Sequence, residues 1–121
     1  MAATSFSLVG NMIDERMRKS ESAVEASQNI PAHKKGELLS LLAKLKSAVA
    51  NVSQTHHEDA QSIAQLIETS THEATRGKKE PEKLKAALHK LKESVEKFES
   101  SHPELVAFVN EFATLLAAMG L

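Results

Sequence analysis

A chain of 121 residues, 41% apolar and 26% charged, is long enough for one domain with a core of moderate size and too apolar for disorder. It has four Phe, no Trp, no Tyr and no Cys, so Leu, Ala, Val, Ile and Met must fill the core, and disulfides, thiolate zinc sites and cysteine nucleophiles are excluded. A formal net charge of −1 argues against a nucleic-acid binder, and the basic residues over 78–97 lack the interleaved aromatics that stacking on single strands needs.

The opening stretch, MAATSFSLVGNMIDERMRK, has neither an early basic region nor a long apolar run, so no secretory signal is expected. No segment approaches the roughly 18 apolar residues of a membrane span. The chain is therefore expected to be cytoplasmic and free of membrane. Phe6, Val9, Ile13, Met17 and Val24 recur at near-helical steps and predict a first helix over 5–28, with Ser5 or Ser7 as candidate caps. It should end near Gln28-Asn29, because Pro31 restricts Ile30 and suits a new first turn.

In the second segment, 32–54, Leu38, Leu42, Leu45, Val49 and Val52 alternate steps of four and three, a heptad seam. Leu39, Leu41 and Ala48 widen it towards a bundle face. If the register continues, His56 and Asp59 fall on the seam, followed by Ile63 and Leu66. NVSQTHH is weak in helix propensity, and Thr55-x-x-Glu58 has the form of a capping box. A break near 53–56 is therefore favoured over one long bent helix, with a third helix over 56–75. TRGKKEP is the clearest loop, with Gly77 as a helix C-cap and Pro81 opening the next helix. Over 82–100, Leu84, Leu88, Leu91, Val95 and Phe98 form a second seam, with Glu93 and Lys97 spaced to pair. Ser101-x-x-Glu104 is a second capping box, opening a last helix over 103–119. That helix carries Leu105, Phe108, Val109, Phe112, Leu115, Leu116 and Met119; as the most apolar segment it should lie at the centre of the core or of an interface.

Charge is segregated. Residues 31–54 carry four Lys against Glu37; 55–75 carry Glu58, Asp59, Glu68 and Glu73 with no Lys or Arg; 76–100 carry eight basic and five acidic residues. Alternating blocks favour antiparallel neighbours that attract one another, although a mixed, solvated surface reads the same way.

Candidate chemistry is thin. Helical ligands must sit three or four residues apart to share a face, a condition that His56 and Asp59 meet and His57 does not. Two ligands fall short of the three or four that zinc takes, although a symmetric dimer could double them and His72 could join. His56 and Asp59 are thus the metal candidates, and a polar layer within the seam is the plainer reading. Histidine phosphotransfer domains are four-helix bundles of similar size with a surface His, a Lys three residues on and then Gly. Here His33-Lys34-Lys35-Gly36 places Lys two residues on, and Glu37-Leu38-Leu39 replaces the usual small residues. His89 flanks the second seam, and His102 sits in the first turn of the last helix with no nucleophile beside it. There is no phosphate-binding glycine loop, HExxH or GxSxG.

Phe98, Glu99, His102, Pro103, Leu105, Leu116, Met119, Gly120 and Leu121 make up a pattern Phe-Glu…His-Pro-x-Leu…Leu-x-x-Met-Gly-Ile/Leu. In it the chain resembles a small bacterial family of helical proteins of unknown function, most clearly over 84–121 and loosely over 31–75. The resemblance implies a cytoplasmic bacterial protein without catalysis and brings no activity with it.

The expected fold is all-α: a single domain over 1–121, an antiparallel bundle of four or five helices with coiled-coil-like packing. Residues 1–30 form a helical extension and 31–121 the family-like region. The expected function is a non-enzymatic interaction or structural module that self-associates, as a dimer, through apolar helical faces. Those faces comprise Leu38, Leu42, Leu45, Val49, Val52, Leu84, Leu88, Leu91, Val95, Phe98, Phe108, Phe112, Leu115 and Leu116. A phosphocarrier using His33 and a metal-binding bundle are the alternatives. No catalytic residue, cofactor or metal is expected.

Overall fold

Each turn between helices falls at a proline or at a run of poor helix formers. The computed structural model describes the backbone of residues 2–120 and the side chains of residues 12–120. The side chains of Phe6, Val9, Ser5 and Ser7, and Leu121, lie outside the described residues. Five α-helices follow one another: α1 Ala2–Ala26, α2 Ala32–Ser53, α3 His57–Thr75, α4 Pro81–Val95 and α5 Pro103–Gly120, with a 3-10 turn over Glu96–Phe98. There is no strand among the described residues. The expected all-α bundle is what forms.

Pro31 stands just before α2 in extended conformation, φ −57° and ψ 146°, and Pro81 opens α4, where a missing N–H costs nothing. The loop after α3 turns differently from expectation: Arg76 leaves the helix at ψ 150°, and no described glycine has positive φ. Gly77 is therefore not a left-handed cap. The fourth helix also stops early. It ends at Val95 and tightens into the 3-10 turn, so Lys97 leaves the face that would pair it with Glu93.

The break between the second and third helices is real. The N–H groups of Thr55 and His56 both donate to the Val52 carbonyl, at 3.2 and 2.8 Å, and His56 leaves the helical region at φ −138°, ψ 66°. The carbonyls freed at the end of α2 find a new partner: His57 Nδ1 lies 2.9 Å from the Ser53 carbonyl oxygen, a contact in which the imidazole must be the donor. His56, not Thr55, precedes α3, and no side chain caps that helix; the expected Thr55-x-x-Glu58 capping box does not form.

The turn resets the helical phase. α3 buries Ala60, Ile63, Ala64, Ile67, Ser70, Thr71 and Ala74, leaving Asp59 and Leu66 half-buried and His56 exposed. The polar seam layer expected from a continuous register therefore does not exist. The small side chains of α3 let neighbours approach closely, and α3 touches all four other helices. α1 lies on α3 and α2, α4 on α3 and α5, and α5 on α4, α2 and α3. Centrality within the monomer thus goes to the small-residue helix; α5, the most apolar, touches three of the other four and keeps one side only partly covered, so of the two places expected for it the centre of the core is taken by α3.

Both seams are spent inside the monomer. Leu38, Leu42, Leu45, Val49, Val52, Leu84, Leu88, Leu91, Val95, Phe98, Phe112 and Leu116 are all buried, while Phe108 and Leu115 pack against the core only in part. Charge pairing follows the predicted blocks in one place, where Lys97 donates to Asp59 at 2.7 Å. The other pairs between helices involve α1: Asp14 with Lys46 at 2.7 Å and Arg16 with Glu68 at 3.4 Å. The hydrogen bond from Lys46, helped by Arg18, holds Asp14 below the ordinary carboxylate range.

Ser70 Oγ is buried with no protein partner. A buried hydroxyl left unpaired costs about 1–3 kcal/mol, and Ala is the better helix former. Ser70→Ala should therefore stabilise the fold by about 1 kcal/mol, read as a higher urea midpoint at unchanged slope. A lower midpoint would show that the hydroxyl is satisfied in solution.

Candidate functional site

The stretch around His56 and the start of the last helix, far apart in sequence, meet at one end of the bundle, where the α2–α3 turn faces the turn before α5. Phe98, buried in the 3-10 turn, is the hinge of this meeting. The His56 ring stands edge-on to it at 5.3 Å between centroids, and the His102 ring does the same at 5.6 Å. Lys97 Nζ lies 5.7 Å from the Phe98 ring centroid while donating to Asp59, so the cation is shared between an aromatic face and a carboxylate. The His56 and His102 rings each have a hydroxyl from the preceding residue near Nδ1: Thr55 Oγ1 at 2.8 Å and Ser101 Oγ at 3.1 Å.

These contacts decide what the cluster can do chemically. Asp59 is committed to Lys97 and His56 to Phe98, so the two metal candidates are not turned on a common point. No group of three or more His, Cys, Asp or Glu suited to a metal exists among the described residues. Ser101 lies beside His102, but helix α5 begins at Pro103 with the Leu105 N–H donating to the His102 carbonyl. His102 thus takes the position ahead of the helix that the second capping box assigned to Ser101. A pocket of about 250 Å³ adjoins the cluster, lined by Ala48, Asn51, Ser101, His102, Pro103, Glu104 and Leu105. It holds one carboxylate and one imidazole, and no buried nucleophile.

The remaining histidines are dispersed. His33 is exposed in the first turn of α2, and Lys35 Nζ two residues on donates to the Glu25 carbonyl at the end of α1. His89 Nε2 lies 3.3 Å from Glu93, the carboxylate expected to pair with Lys97. Two tethers escaped sequence reasoning. Lys35 closes the end of α1, and Lys79 Nζ donates to the carbonyls of Ala74 and Met119, at 3.1 and 3.0 Å, tying the C-terminal ends of α3 and α5 together. A lysine just past a helix end is itself a signal for the local half of the Lys79 contact; nothing local points to Met119.

The second candidate surface is the outer side of α5. Val106, Phe108, Leu115, Ala117 and Met119 are only partly covered, and Ala107, Asn110, Glu111, Thr114 and Ala118 are exposed. A groove runs along each flank. The one beside α4, about 600 Å³, is lined in part by Lys85, His89, Lys92, Ala113 and Ala117. The one beside α2, about 450 Å³, is lined in part by Ser40, Lys44, Glu111 and Leu115, and Lys44 Nζ stands 5.9 Å from the Phe108 ring centroid. No helix among the described residues is long and apolar enough to cross a membrane.

A family model described as a domain of unknown function, DUF4404, matches residues 38–121. The match takes in the end-cluster and all of α3, α4 and α5, and leaves α1 outside. No curated protein and no solved structure matches the chain.

Proposed function

The chain belongs to the DUF4404 family, domains of unknown function, and we propose that it is a non-enzymatic interaction module that self-associates as a dimer through the outer side of α5. The observation that carries this reading is the misplacement of apolar surface. The most apolar helix leaves one side partly uncovered, with Val106, Phe108, Leu115, Ala117 and Met119 half-buried, while the less apolar α3 touches every other helix.

Charge supports a second copy as the occupant. α5 carries Glu104 and Glu111 and no basic residue, and the groove on its α4 flank is lined by Lys85 and Lys92 against Glu82 alone. A partner α5 laid antiparallel about a twofold axis brings its carboxylates towards those lysines, and the same patch serves both copies. The end-cluster of His56, Phe98 and His102 fits a structural role in this reading: it locks two turns together and leaves the α5 face rigid.

Sedimentation equilibrium at tens of micromolar is the test. The native chain should run at twice its monomer mass, and Ala107→Glu with Ala118→Glu, both at exposed positions, should return it to monomer with unchanged helicity. A native chain that sediments as a monomer throughout ends the self-association reading.

A further inference from the structure

We propose that the self-association surface extends from α5 across its groove with α2, where Glu37 and Lys44 of one copy pair with Lys44 and Glu37 of the other and fix the register of the dimer. The inference rests on the dimer proposed above and adds to it a second helix and the residues that set the fit. Glu37 and Lys44 lie seven residues apart on α2, close to two full turns. Both line the groove beside α5, with Ser40 between them, and all three are exposed.

Neither charge is used inside the monomer. Among the described residues Glu37 has no ion pair, and Lys44 has only the Phe108 ring, its Nζ 5.9 Å from the centroid. Lys35 and Lys46 of the same helix are by contrast engaged with α1. About 10 Å of helix rise separates Glu37 from Lys44, too far for the two to meet each other. A copy of the same stretch running the opposite way, about an axis near Ser40, sets Lys44 against Glu37 and Glu37 against Lys44 at once. The twofold axis that lays α5 antiparallel on its copy imposes that running direction on α2 as well, because both helices belong to one bundle. This self-complementarity selects a second copy over an unrelated partner: the groove carries both signs of charge, in the order that its own reverse requires. Glu111, the third charge lining the groove, gives the incoming lysine a further carboxylate.

Gly36 lines the same groove. A Cβ there would meet nothing within 4 Å, and its φ is not positive. Nothing in the monomer therefore asks for a residue that weakens a helix relative to alanine. Its bare backbone instead lets the second copy come close.

Sedimentation at the concentration where the native chain is half dimer reads the pairing. Glu37→Lys alone and Lys44→Glu alone each set like charges together twice across the axis, and each should weaken the dimer about tenfold or more. Two rescues are expected. Glu37→Lys with Lys44→Glu in one chain reverses both partners and should restore a dissociation constant close to the native one. Equal mixing of the two single variants should likewise give dimers where neither does alone. The positions are exposed, so circular dichroism should show unchanged helicity throughout. Single reversals that leave the dimer intact overturn the reciprocal pairing, as does a double variant or a mixture that stays monomeric; in each case the α5 dimer stands. A native chain that is itself a monomer removes both.

Discussion

Phe112→Ala should lower the unfolding free energy by about 3–5 kcal/mol, the usual loss when a fully buried Phe is cut to Ala. Phe112 is the largest fully buried side chain described, and it sits on the inward side of α5 near mid-helix. Removing it leaves a void that the surrounding leucines close only in part. Against a total stability of roughly 5–15 kcal/mol for a domain, that loss takes a large share. The chain has neither Trp nor Tyr, so far-UV circular dichroism in urea is the suitable measurement. Phe108, four residues earlier, supplies the contrast. It is only half-buried and lies beside Lys44, so Phe108→Ala should cost about a third as much or less in the monomer, with cavity formation largely absent. Equal costs at the two positions would mean that α5 is rotated from the orientation described.

The contrast between Phe108 and Phe112 also marks where sequence reasoning stops. Helix existence and limits were legible because each depended on local chemistry: Pro31, Pro81 and Pro103 mark the starts, and the poor formers from Asn51 to Thr55 mark the break. The four-three seams were legible too, since Leu38, Leu45, Leu84 and Leu91 had to be covered by something. What covers them was not. A seam buried against another helix of the same chain and a seam buried against a second chain have the same spacing, and here the monomer consumes both. Register was carried through the break only by assuming that the helix did not stop. Once it stops, the phase depends on the dihedral angles of residues 54–56, which no periodicity records, and so Asp59 met Lys97 instead of His56. The end-cluster was half visible: His56, Phe98 and His102 were each singled out, for different reasons, yet their meeting depends on the α2–α3 turn and the turn before α5 lying at the same end. Apolarity alone did not say which helix is central. A helix that touches all the others must be thin, and Ala60, Ala64, Ser70 and Ala74 make α3 so, a packing property that mean hydropathy does not record.

Met17→Ala should produce the other large effect, and a more local one. Met17 is fully buried on α1, between Ile13 and Val24, and it is the largest side chain that α1 is seen to contribute. Truncation of a buried Met costs about 2–5 kcal/mol, whereas full burial of each large apolar side chain of this helix contributes only about 1.5–3 kcal/mol. The loss is therefore comparable to the hold of one or two of the three anchors among the described residues, and the ordering entropy of the helix must still be met from what remains. The helix should then open separately from the rest. Native-state hydrogen exchange reads this directly: amides of α1 should lose protection by roughly thirty-fold to several thousand-fold, following a tenfold change per 1.4 kcal/mol, while amides at the centres of α4 and α5 change little. Acid should add to the effect. Lys46 keeps the Asp14 carboxyl below its ordinary range, so this contribution is full above that ordinary range and is lost as pH falls through the lowered value. Protection of α1 should consequently fall as pH drops through that lowered value. Uniform loss across all five helices, in the variant or in acid, would make α1 an integral part of one cooperative unit.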